Sequence, residues 1–182
     1  ARTAVFARRP APIIVNWLGY PGTMGSDYHH YIIGDPWIIP PEMELYYSEA
    51  VRRIPCYQPN DRRRIVASEV PTRTEAGLPE DGFVFCCFNG TQKITPHVFD
   101  RWMEILKRTP GSVLWLLDSN PETNARLRDA AAARGVDRTR LVFAPKMPNA
   151  FHLARYRLAD LFLDTTPYGA HTTASDALWM AV

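Results

Sequence analysis

Phe83-Val84-Phe85-Cys86-Cys87-Phe88 is an unbroken apolar run. It opens after Gly82 and closes on Asn89-Gly90-Thr91-Gln92-Lys93. Six apolar residues bounded by turn formers read as a strand buried on both faces. Downstream, Pro96 to Arg108 predicts a helix with Val98, Trp102, Ile105 and Leu106 on one face. Ser112-Val113-Leu114-Trp115-Leu116-Leu117 is the next strand, and Pro121 to Arg134 an alanine-rich helix closed by Gly135. Leu141-Val142-Phe143 reads as a strand, Asn149 to Tyr156 as a helix, Asp160-Leu161-Phe162-Leu163 as a strand, and Thr172 opens a last helix. Strands and helices alternating at this rhythm predict an α/β fold with a parallel sheet covered on both faces.

Upstream the pattern is looser. Pro12-Ile13-Ile14-Val15-Asn16-Trp17 predicts a strand feeding the turn Gly19-Tyr20-Pro21-Gly22-Thr23, and Tyr31-Ile32-Ile33 predicts another, closed by Gly34-Asp35-Pro36. From Pro40 to Pro71 prolines and arginines interrupt every pattern except a helical signal from Glu42 to Ala50. Arg62-Arg63-Arg64 reads as a solvated face and His29-His30 as a surface pair. The organisation expected is residues 1–70 as the tail of one α/β domain and residues 71–182 as the first part of another.

Totals exclude several classes. The 182 residues carry a net charge of +2, too mild for a nucleic-acid-binding face. No apolar run reaches the roughly 20 residues that cross a bilayer. Cys56, Cys86 and Cys87 lack metal-ligand spacing, so reduced thiols and a cytoplasmic setting are expected. The chain opens on Ala1 and stops at Val182 within a helical pattern, so a fragment is expected.

In an open parallel sheet, ligands bind beyond the carboxyl ends of the strands. The loop from Asp164 to Thr173 carries the sharpest signal. Gly169 and Ala170 admit close backbone approach, and Thr172 and Thr173 sit at a helix N-terminus, where the dipole favours an anion. An N-capped helix with Thr as cap reads equally well. Asp176, one turn in, is placed to accept hydrogen bonds from ribose hydroxyls. His152 and Arg155 share a helix face, either as a solvated pair or as a platform for a base. Lys93 follows a strand and is placed to neutralise phosphate, or is a surface lysine. No P-loop, G-x-G-x-x-G or Asp-x-Asp occurs at these loops. Phosphate would then be met by Lys93 and a helix N-terminus, with no metal and no cofactor required.

The same loops carry a family resemblance. Arg9-Pro10-Ala11-Pro12-Ile13, Trp17 to Thr23, Gly77 to Asp81, Phe88-Asn89 with Lys93-Ile94, Ser112 to Leu117, Leu158-Ala159-Asp160 with Leu163-Asp164-Thr165, and His171-Thr172-Thr173 with Asp176 and Leu178-Trp179 resemble the catalytic region of the protein O-linked N-acetylglucosamine transferases. The resemblance spans almost the whole chain. It implies a GT-B fold of two Rossmann-like domains with parallel sheets. It also implies inverting, metal-free transfer of N-acetylglucosamine from UDP-N-acetylglucosamine to protein Ser and Thr hydroxyls, with tetratricopeptide repeats upstream. Lys93 would contact the diphosphate, and Thr172 and Thr173, with His171 beside them, would bind phosphate. Asp176 would hold the ribose, His152 and Arg155 would flank the uracil, and Leu18, Gly19 and Pro21 would line the sugar and acceptor side. The family's candidate general base lies upstream of residue 1. Gly90, Asn149 and Tyr168 stand where animal enzymes carry Gln, Lys and Cys. Relatives that use GDP-fucose, or UDP-glucose onto Asn, and a non-catalytic sugar-nucleotide-binding module are the alternatives.

Overall fold

A computed structural model describes residues 3–58 and 61–182. The chain divides into two compact units, residues 1–60 and 61–182. The first holds a three-stranded parallel sheet of β1 (Val15–Asn16), β2 (Tyr31–Gly34) and β3 (Ala50–Arg53), in that order. Ile32 and Ile39 are fully buried beneath it. The predicted helix at Glu42 to Ala50 is a 3-10 turn over Pro41–Tyr46, and Ala50 belongs to β3. Only Val51 of β3 is partly buried, so backbone pairing to β2 holds it rather than an apolar pattern the sequence would display.

Polar side chains pin the turns of this unit. The buried Asp35 carboxylate accepts from the N–H groups of Trp37 (2.9 Å), Ile38 (2.8 Å) and Tyr57 (2.6 Å). Burial pushes its pKa up, but these donors outweigh burial and hold the carboxyl below its ordinary value. His29 and His30 are structural, contrary to a surface reading. His29 is buried and shares a 2.6 Å hydrogen bond with Ser26, while His30 Nδ1 accepts from Ile14 N–H at 3.0 Å. Leu18 adopts φ +70, in the left-handed region that side chains beyond glycine rarely enter. Asn16 Nδ2 donates to Tyr20 O at 2.9 Å across the same turn.

The second unit is a four-stranded, wholly parallel sheet ordered β6-β5-β4-β7. Its strands are β4 (Val84–Cys87), β5 (Val113–Leu117), β6 (Leu141–Ala144) and β7 (Leu161–Phe162). Between them run α1 (Pro96–Arg108), α2 (Pro121–Ala132) and α3 (Asn149–Arg155), and α4 (Thr172–Trp179) follows β7. Each helix boundary has a local cause. Thr95 and Asn120 accept from the N–H groups of Val98 (3.3 Å) and Thr123 (2.8 Å), each with proline at the first helical position. Gly135, at φ +76, closes the turn after α2.

Cys87 faces the layer built by Val98, Trp102, Met103 and Leu106 of α1, and Cys86 faces the opposite layer with Phe88, Trp115 and Tyr156. Burial pushes both thiols up, which makes them inert small hydrophobes. Residues 61–70 pack with this unit, where Ala67 N–H donates to Ala150 O at 3.0 Å. The strand order places β4, first in the chain, between β5 and β7. Chain direction around the sheet therefore reverses at the β4–β7 boundary, where ligands of doubly wound sheets bind.

Candidate functional site

The loops leaving β4 and β7 are knitted together at that boundary. Asn89, buried at the end of β4, donates from Nδ2 to Asp164 Oδ1 (3.1 Å) and Thr165 Oγ1 (2.9 Å). Its Oδ1 accepts from Thr173 Oγ1 in α4. Asp164 Oδ1 also accepts from the N–H groups of Thr165 (2.6 Å) and Ala170 (2.7 Å). A Cβ at Gly169 would stand 3.1 Å from Asp164 Oδ2, so glycine there lets the loop fold tightly on this carboxylate. Asn89 and Asp164 form the hub of the loops. The sequence shows them only as polar residues after strands, because their partners lie some 75 positions away.

Lys93 reaches across from the 3-10 turn Thr91–Lys93. Its Nζ donates to Gly169 O at 2.9 Å and stands 4.0 Å from the centre of the Tyr168 ring. The ammonium is thereby held in the loop that leads into α4. His171 is the N-cap residue of α4, without a capping side-chain bond, so a Thr cap is not what starts this helix. The first intrahelical bond runs from Ser175 N–H to His171 O at 3.1 Å. The N–H groups of the first turn point out of the helix end, and an anion there meets the positive end of the dipole. Structure thus brings together Lys93, His171, Thr172 and Thr173.

Beside them lies a buried chain of four titratable groups. Arg155 is 1% exposed, donates from Nη1 to Pro145 O at 2.6 Å and stacks 4.4 Å from the Phe88 ring centre. Its Nη2 meets His152 Nδ1. Because a guanidinium only donates, Nδ1 must accept, which leaves the imidazole proton on Nε2. That nitrogen lies 3.7 Å from Asp176 Oδ2, and Asp176 Oδ1 pairs with Arg64 Nη2. The side chains of Arg64 and Asp176 are 13% and 5% exposed. The last arginine of the run at 62–64 is therefore a buried ion-pair partner, although Arg62 and Arg63 are solvated. His152 and Arg155 are likewise no solvated pair. Tertiary packing on Phe88 and Tyr156 encloses them.

Burial, then the neighbouring Arg155 and Arg64, hold the His152 pKa down to about 4. Asp176 pulls the other way, but its charge is already met by Arg64. Below its ordinary value of 6.5 the unfolded chain takes up this proton and the folded chain does not. Stability is then lost as pH falls from about 6.5 towards 4, by up to about 3 kcal/mol from this one group. Urea midpoints measured across that range should show a slope that His152→Gln reduces. An unchanged slope in the variant would reject the neutral buried imidazole.

Leu18, Gly19 and Pro21 fall in the turn after β1, in the first unit. Among the described residues no group of three or more His, Cys, Asp or Glu is placed to hold a metal ion, and no helix is long and apolar enough to cross a membrane.

The sequence model of glycosyl transferase family 41 matches residues 1–57 and 59–182. The chain belongs to glycosyl transferase family 41. This family 41 chain is 39% identical, over its whole length, to a probable UDP-N-acetylglucosamine–peptide N-acetylglucosaminyltransferase, SEC, of Arabidopsis thaliana, of which it covers 19%. It is 34% identical, again over its whole length, to a probable enzyme of the same name, SPINDLY, of Petunia hybrida, of which it covers 20%. Among solved structures, a mutant O-GlcNAc transferase of Thermobaculum terrenum superposes with a TM-score of 0.81 at 36% identity. That match takes in all of this chain and 34% of the other. The fold is α/β of the GT-B type, with parts of two Rossmann-like domains. The family 41 chain spans about a fifth of the curated relatives it matches.

Proposed function

We propose that the protein carrying this family 41 chain is an inverting glycosyltransferase that moves N-acetylglucosamine from UDP-N-acetylglucosamine to Ser and Thr hydroxyls of proteins. The observation that carries this reading is the Lys93 ammonium held on the Gly169 carbonyl, in the loop that leads into the N-terminus of α4, at the reversal point of the sheet. The printed names of the relatives support the donor and the peptide acceptor. In this reading the first unit is the end of the first catalytic domain, and the second unit begins the nucleotide-sugar-binding domain. Leu18, Gly19 and Pro21 line the sugar and acceptor side.

Lys93 and the first turn of α4 take the diphosphate, and they stabilise the charge that develops on UDP as the glycosidic bond breaks. No metal or other cofactor is needed for that step, since the ammonium and the helix end supply the counter-charge. Asp176 accepts from the ribose hydroxyls. His152 presents a neutral ring to the uracil, and Arg155 holds that ring in place. Tetratricopeptide repeats upstream of this region and a cytoplasmic location complete the reading.

Calorimetric titration of UDP and GDP into the protein carrying this chain tests it, beside Lys93→Ala and Asp176→Asn. UDP should bind, GDP should bind less well, and each substitution should weaken UDP by roughly tenfold, the equivalent of about 1.4 kcal/mol. A folded protein that ignores UDP, or prefers GDP, would remove the UDP-sugar reading.

A further inference from the structure

Arg64 stands out within the buried chain of titratable groups. Its Nη2 pairs with Asp176 Oδ1, its guanidinium lies 5.8 Å from the Trp179 ring centre, and its Nη1 is buried with no hydrogen-bond partner. On the other side, Asp176 Oδ2 faces His152 Nε2 at 3.7 Å. Arg64 and Arg155 bring two positive charges to one carboxylate and a neutral ring, so one positive charge is in excess in a poorly solvated place.

A carboxylate offers about four acceptor positions on its two oxygens. Arg64 claims one, on Oδ1, and so orients the group, while the imidazole N–H faces Oδ2 from the other side at 3.7 Å, beyond hydrogen-bond reach. At least one acceptor position therefore remains on each oxygen. A ribose presents two adjacent hydroxyls that need such a pair of acceptors.

We infer that Arg64 is a positioning residue of the nucleotide site, one that fixes the Asp176 carboxylate so that its remaining lone pairs meet the two ribose hydroxyls. The inference rests on the UDP-sugar reading of this site. Arg64 acts through Asp176 and so has no need to touch the nucleotide. Its planar fork suits the role better than an ammonium would, because it holds a carboxylate oxygen at a set angle.

Comparison of two nucleotides separates this role from a merely structural one. UDP and 2′,3′-dideoxy-UDP are titrated into the unmodified protein carrying this chain, and into its Arg64→Ala and Arg64→Lys variants. Arg64→Ala should weaken UDP by roughly tenfold, the scale of one hydrogen bond to a charged group, and leave dideoxy-UDP unchanged. Arg64→Lys should recover part of the loss. If Arg64→Ala does not fold, Arg64→Gln carries the same comparison without the charge.

Equal loss on both nucleotides would overturn the inference, because the arginine would then act on base, phosphate or fold. Unchanged UDP affinity would overturn it too. So would tighter binding, which would make the arginine a plug over Asp176. If the unmodified protein does not bind UDP, the site reading falls and this inference with it. Binding that is present in the unmodified protein but insensitive to Arg64 sinks the inference alone.

Discussion

Lys93→Ala should lower kcat for transfer to a peptide acceptor by about 10²–10³, the cost of removing one preorganised donor from a developing anion. The ammonium is fixed before any ligand arrives, by the Gly169 carbonyl at 2.9 Å and the Tyr168 ring at 4.0 Å. It is also partly withdrawn from water, where a charge acts more strongly than at an exposed surface. Both features matter most when the diphosphate gains charge, so kcat should fall more than the donor KM rises. Stability should move little, since Lys93 is only partly buried and sits in a short turn. Steady-state kinetics at saturating donor measure the effect. A kcat close to that of the unmodified enzyme would remove Lys93 from the chemistry.

Asp176→Ala should destabilise the ligand-free protein by about 3–5 kcal/mol, the range for removing one partner of a buried ion pair. The substitution leaves Arg64 and Arg155 in a poorly solvated cluster with no counter-charge, and it takes away the group that faces His152 Nε2. Removing Arg64 as well should relieve part of that penalty. The double variant Arg64→Ala/Asp176→Ala should therefore lose less than the sum of the two single losses. Urea denaturation of the four proteins measures the coupling. Strict additivity would mean that the two side chains do not feel each other in the folded protein, and that Asp176 is held by something else.

These two expectations draw on different layers of information. Lys93 was legible as a candidate because a lysine directly after an apolar strand lies at the ligand end of a parallel sheet, whatever the rest of the fold does. The same holds for His171, Thr172 and Thr173, since the last helix starts where its sequence says it should. Arg64 was not legible. It sits in an arginine run with no periodicity, and its partner is 112 residues away. The short strand Ala50–Arg53 was missed for a related reason. Its pairing is made by backbone groups, which every residue carries, and no apolar face marks it.

Sequence by itself determined the alternation of strands and helices, the helix starts at Pro96 and Pro121, the left-handed closure at Gly135 and the opposed faces of Cys86 and Cys87. Each of these follows from local chemistry, namely fixed proline φ, capping side chains, a missing Cβ and the two-residue period of a strand. Only the tertiary structure decided that His152 and Arg155 are enclosed, that His29 and His30 brace a turn, that Asn89 and Asp164 tie two loops together, and that Arg64 pairs with Asp176. Whether a polar side chain is solvated or buried depends on which distant surface closes over it, and a single stretch of sequence does not carry that information.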